Sequence, residues 1–171
     1  TGTLMLSTDA GVRTISAMPG ASQYAAVSPD GRSVGFKEVQ ANGKQIPVIV
    51  DLQSGERKEL LSAVDRVGQP SFSDAGDVAF TVGTDLVVIR AGEKHVYPLG
   101  VYANIAPLSP DGRSVVFNDD ADRLWLLDLS TLQRTRISPE NGAFALPQWS
   151  PNGDRILFSR LDGTMFSFDR S

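Results

Sequence analysis

The chain of 171 residues is long enough for one domain with a sizeable core, and its 41% hydrophobic and 21% charged content is that of an ordinary globular sequence. A formal net charge of −4 with a pI near 4.9 argues against a nucleic-acid partner, whose phosphates would call for a basic stripe. No apolar run approaches the roughly 18 residues that a membrane-spanning helix needs, and with no cysteine there is neither a disulfide nor a thiolate metal site.

Residues 3–7 read as a short strand, 9–11 as a turn and 12–16 as a second strand with alternating faces. They look like the last two strands of a four-stranded unit. Strands at 25–27, 33–38, 46–51 and 57–61 then make a complete unit, with Asn42-Gly43 and Ser54-Gly55 as its other turns. The third unit comprises 70–72, 77–82, 85–89 and 95–99, with Ala91-Gly92 where Ser54-Gly55 stood. The fourth comprises 106–108, 114–117, 123–129 and 134–137, and the last has 146–149, 155–159 and 164–169. That makes 17 strands and no helix.

The punctuation of these units recurs. Ser28-Pro29-Asp30-Gly31 and Ser109-Pro110-Asp111-Gly112 are identical, Ser150-Pro151-Asn152-Gly153 changes one residue, and Ser73-Asp74-Ala75-Gly76 keeps the two ends. Proline pre-sets φ at the second position of a turn, and glycine takes the positive φ that other side chains avoid. Each tetrapeptide is therefore a hairpin turn, followed by an apolar run ending at Phe36, Phe80, Phe117 or Phe158. The serines are spaced by 45, 36 and 41 residues, which fits propeller blades of roughly 40–45. Pro70 and Pro147 stand three residues before a serine and Pro107 two, in strands that must then be edges, as the innermost strand of a blade is. The predicted fold is an all-β propeller of four-stranded antiparallel blades, one domain over 1–171, with repeats near 1–16 (partial), 22–62, 67–99, 103–138 and 143–171 (partial).

The motif Pro147-Gln148-Trp149-Ser150-Pro151-Asn152-Gly153, and Ser109-Pro110-Asp111-Gly112 running to Phe117 and then to Asp128-Leu129, resembles the TolB-like propeller repeat. The resemblance covers nearly the whole chain, and the repeat at 67–99 departs most from it. It implies six blades in a complete ring, an extracytoplasmic (periplasmic) bacterial setting and a protein partner.

Seventeen strands do not divide into fours. One reading seats residues 12–16 beside the last three strands and closes a ring of four blades. The other, preferred because propellers span about 4–8 blades, takes the chain as part of a six- to eight-bladed ring whose further blades come from a parent chain or a second copy. The chain opens in mid-motif at Thr1, which leaves room for a removed leader.

Catalytic chemistry is hard to find. Gly31-Arg32-Ser33-Val34-Gly35 fits the G-x-S-x-G nucleophile elbow, but that chemistry needs a strand-to-helix turn, and the parallel copy Gly112-Arg113-Ser114-Val115-Val116 lacks the second glycine. His95 is the sole histidine, and it falls on an outer strand. Asn118-Asp119-Asp120-Ala121-Asp122 is an oxygen-rich loop of the kind that can hold calcium, without EF-hand spacing, and a solvated acidic turn is the simpler account. No catalytic residue, metal or cofactor is assigned.

The binding candidates are Tyr24, Tyr102 with its neighbour Asn104, Phe144, and the carboxylates Asp119 and Asp120. The aromatic residues lie in or beside connections into the innermost strands, and aromatics on loops held by a rigid scaffold are typical anchors. The loops 17–24, 38–44, 63–69, 100–105, 118–122, 139–145 and 160–163 should share one face. The expected function is non-catalytic binding of a protein or peptide by that face or the central channel. The alternative is a gating or substrate-filter domain of a prolyl oligopeptidase- or tricorn-like serine peptidase, whose catalytic domain would lie elsewhere.

Overall fold

Each serine-led turn closes through its own side chains. Ser28 donates its amide to the Ser33 carbonyl at 2.8 Å and its hydroxyl to the Asp30 carboxylate at 2.6 Å. That carboxylate also accepts the Arg32 amide, and Ser28 Oγ accepts the Ser33 amide at 2.9 Å. Gly31 takes φ 70°, the left-handed conformation the turn requires. The 109–114 turn repeats every one of these bonds. At 150–155 Asp154 replaces Asn152 as acceptor of the serine hydroxyl. At Ser73 the turn is one residue shorter, with Asp77 donating its amide to Ser73 Oγ at 3.1 Å.

The computed structural model describes residues 2–18 and 24–170, so part of the predicted 17–24 connection and the start of the repeat placed at 22–62 lie outside it. Each of these turns lies within one antiparallel sheet, and the sheets follow one another in chain order. β1 (Gly2–Thr8) and β2 (Gly11–Met18) form a hairpin, blade A. Blade B is β3 (Ala25–Val27), β4 (Ser33–Val39), β5 (Gln45–Asp51) and β6 (Arg57–Glu59). Blade C is β7 (Ser71–Phe72), β8 (Val78–Val82), β9 (Asp85–Arg90) and β10 (Glu93–Pro98). Blade D contains β11 (Ser114–Asn118), β12 (Leu124–Asp128) and β13 (Arg134–Arg136), and blade E β14 (Phe144–Trp149), β15 (Arg155–Arg160) and β16 (Met165–Asp169). Among the described residues there is no helix.

One expectation needs correction. The strand expected at 106–108 is reduced to a bridge between Leu108 and Val115 plus the Val116 amide on the Pro107 carbonyl, because Pro107 and Pro110 have no N–H to extend the ladder. Of the two ring readings, the less favoured one, a four-blade closure through residues 12–16, is not formed among the described residues: β2 pairs with β1, and β16 pairs with β15 alone.

Successive strand residues point into different interfaces, as the period of two demands. Val34 and Phe36 pack with Leu4 and Ile15 of blade A. Val78 and Phe80 pack with Ile49 of blade B, whereas Ala79 joins Val115 and Phe117 of blade D. Val116 then joins Phe144, Ile156 and Phe158 of blade E. The four recurring phenylalanines are at most 2% exposed. Gly35 occupies the remaining position of this pattern. A Cβ there would stand 3.0 Å from the Phe72 ring and from Pro70 Cβ, so it admits the next blade and belongs to no nucleophile elbow.

Polar bonds key the blades together near the turns. Asp74 donates its amide to the Pro110 carbonyl at 2.8 Å, and the Trp149 indole donates to the Pro107 carbonyl at 3.0 Å. Arg90, paired with Asp77 at 3.0 Å, reaches forward to the Gly112 carbonyl. Arg170 reaches back to Asp111 and to Ser114 Oγ. The Asp of each Asp-Leu ending caps the following turn: Asp51 accepts from Gln53 and Ser54, and Asp128 from Ser130 and Thr131. The Ser130 hydroxyl and then the Thr131 amide hold the Asp128 carboxyl down at about 2.

Two outcomes are expected. Gly35→Ala should destabilise the chain by about 1–3 kcal/mol through overpacking, read by chemical denaturation, and an unchanged midpoint would refute the close-approach role. The Asp128 caps act fully above its ordinary value of 3.8 and are lost as pH falls through about 2. The stability gap between the natural chain and Asp128→Asn should therefore narrow across that window.

Candidate binding site

The inner strands of blades B to E face one another around a common surface built from Val27, Phe72, Leu108, Trp149 and the prolines beside them. The serine-led turns mark one end of this axis. At the other end come the connections into the inner strands and the tips of the hairpins between second and third strands.

An open cleft of about 480 Å³ lies there, and Tyr24, Tyr102, Asn104, Asp119, Asp120 and Phe144 all line it. They arrive from separate elements: Tyr24 before β3, Tyr102 and Asn104 between blades C and D, the carboxylates at the β11–β12 tip, and Phe144 at the start of β14. Ala103, Ile105, Asn118, Asp122, Ala145 and Leu146 complete the walls.

Phe144 differs from the expectation of an exposed loop aromatic. It is 1% exposed and packs edge-on against Phe158 and Phe166, with ring centroids 5.7 and 5.6 Å away. Its ring therefore belongs to the core beneath the cleft. Its backbone is pinned on both sides, the amide donating to the Asp122 carbonyl at 2.9 Å and the carbonyl accepting from Asn118 Nδ2 at 2.6 Å.

Asp119 is spent on structure. Its Oδ1 accepts the amides of Ala121 and Arg123, and its Oδ2 accepts the Trp125 indole at 2.8 Å and Arg123 Nε at 2.6 Å. Burial alone would raise this carboxyl, but those hydrogen bonds outweigh it and hold it below the usual range. Asp120 and Asp122 remain exposed at the rim, with no ion-pair partner among the described residues. The loop expected as a possible calcium site is thus organised around a tryptophan and an arginine.

The opposite wall rests on Lys37. From β4 its ammonium donates to the Asn104 side-chain oxygen at 2.7 Å and to the Val67 carbonyl at 3.1 Å, tying blade B to the entries of blades C and D. The Tyr102 hydroxyl stands 3.1 Å from the same two acceptors, and the Arg66 guanidinium covers its ring at 4.0 Å. Burial, helped by the nearby Arg66 charge, pushes the Lys37 amine down, and burial pushes the Tyr102 phenol up. Tyr102 and Asn104 are therefore rigidly mounted, while Tyr24 is 45% exposed at the edge.

Lys37 was invisible as a site residue in the sequence, being one of two adjacent charges, with Glu38, in the second half of β4. Leu146 carried a signal that was available. Pro147 breaks the ladder, the register shifts between Ala145 and Gln148, and Leu146 takes φ 54° with its side chain 49% exposed on the cleft wall. His95 lies on the outermost strand β10, away from the cleft.

Compared by sequence, the chain matches no protein-family model and no curated protein. Solved structures are a different matter. TolB from Acinetobacter baumannii superposes with a TM-score of 0.76 at 17% identity, over 98% of this chain and 48% of that one. A putative TolB from Agrobacterium tumefaciens gives 0.70 at 18% identity, over 99% and 64%. The β-propeller domain of Cps50 (Swd1) from Myceliophteria thermophila gives 0.70 at 16% identity, over 90% and 53%. The fold is a β-propeller. The chain spans about half to two thirds of the length of these propellers, and the likeness is one of fold.

Proposed function

We propose that this propeller is a non-catalytic binding module of the TolB-like kind, and that the cleft at the mouth of its axis receives a segment of a protein partner. The observation that carries the proposal is the convergence of aromatic, amide and carboxylate groups from four separate elements on one open cleft braced by Lys37. Binding sites favour such concave places, where a rigid scaffold holds loop residues still. Ile105, Ala145 and Leu146 offer apolar contact, and the rim carboxylates Asp120 and Asp122 favour a segment carrying a basic side chain. An extracytoplasmic bacterial setting belongs to the same proposal. Nothing in the geometry singles out the peptidase-gating alternative.

The proposal includes a larger ring. On the outward face of blade E, Leu157 and Met165 are 45% and 57% exposed. By strand parity they correspond to Ala79 and Val116, which neighbouring blades cover. A further blade, from a parent chain or a second copy, would cover them too.

A photo-reactive side chain placed at Tyr24 or at Leu146 should cross-link a cellular protein that the same group at Val96, on the outer edge of blade C, does not reach. Identical adducts from all three positions, or none from the cleft, would refute the assignment. Light scattering on the 171-residue chain tests the ring. Self-association is expected, and a thermally stable, monodisperse monomer would overturn the need for additional blades.

A further inference from the structure

Three Asn-Gly pairs occur in the chain, at Asn42-Gly43, Asn141-Gly142 and Asn152-Gly153. Glycine leaves the following amide nitrogen unshielded, so this pair is chemically prone to cyclise. The nitrogen attacks the asparagine Cγ, the new N–C bond closes a five-membered succinimide, and the bond from Cγ to Nδ2 breaks, releasing ammonia with the amide proton. Water then opens the ring at either carbonyl, giving aspartate or isoaspartate. The net change is one side-chain amide and one water converted to a carboxylate and ammonium, with no electrons transferred.

The fold treats the three pairs differently. Gly43 donates its amide to the Gln40 carbonyl at 2.9 Å, and Asn42 Oδ1 accepts the Lys44 amide at 2.9 Å. Gly153 donates to the Ser150 carbonyl at 2.9 Å, and Asn152 Nδ2 donates to Asp154 at 2.8 Å. In both, the attacking nitrogen and the group under attack are engaged in separate bonds, which must open before the ring can form. At the middle pair neither is engaged. Asn141 and Gly142 are exposed, and among the described residues the Gly142 amide and the Asn141 side chain have no hydrogen-bond partner.

We infer that Asn141 is a self-modification site of this propeller, converting to aspartate and isoaspartate while Asn42 and Asn152 are protected by the fold. Its position gives the conversion a consequence. It lies three residues before Phe144, in the connection that delivers β14 to the cleft. The Phe144 amide on Asp122 and the Leu161 amide on the Ala143 carbonyl anchor the chain immediately beyond it. The product therefore adds a negative charge, and in the isoaspartate form an extra backbone methylene, to a loop whose far end is fixed.

The test is peptide mapping by mass spectrometry on the full chain, aged at mildly alkaline pH with and without denaturing urea. In the native protein Asn141 should convert about fivefold or more faster than either other site, since each of those must first break its bonds. In urea the three rates should converge. Equal native rates, or faster conversion at Asn42 or Asn152, would overturn the inference. So would a preference for Asn141 that persists in urea, because the neighbouring sequence and not the fold would then set it. Asn141→Gln should abolish the native-state product.

Discussion

The constraint on which this molecule rests is that no strand face in the middle of the chain can be left to water. Blades C and D carry apolar residues on both faces of their second and third strands, so each sheet must find two partners. A single sheet with two apolar faces has few stable solutions, and stacking successive sheets about an axis is one of them. The alternation of Phe80 and Ala79, or of Phe117 and Val116, is therefore the instruction for radial packing. The turns only make that packing reachable by reversing the chain at the right places.

That instruction was largely legible because it repeats. The strand positions, the serine-led reversals and the role of the recurring phenylalanines follow from period, proline and glycine alone. Where the sequence misled, the reason is local. The segment 106–108 has an apolar pattern, but its prolines remove the donors a ladder needs. Phe144 looked like a loop aromatic because Pro147 hides the bulge that lets β14 begin earlier. The cleft was legible only as a shared end of the ring, since Tyr24 and Leu146, which line it together, belong to blades B and E, far apart in the chain.

Function is harder to read because the same groups that could recognise a ligand also build the scaffold. Asp119 is the clearest case. In the sequence it is one of three carboxylates, whereas in the fold it is saturated by an indole, a guanidinium and two amides. What remains for recognition is the set that the architecture does not consume: the rim carboxylates Asp120 and Asp122 and the displaced Leu146. Lys37 belongs to the opposite class, a charge whose burial is tolerated because it bolts three blades to one another.

The grip on the 109–114 turn has an implication for how such molecules evolve. Arg90 holds it from one side and Arg170 from the other, so this repeat is addressed to both of its neighbours and not merely threaded between them. A propeller is often imagined as interchangeable beads, each of which could be duplicated or transplanted at will. Moving this bead would strand two guanidinium groups far apart in the chain. Its place in the order is written into the chemistry of the blades beside it.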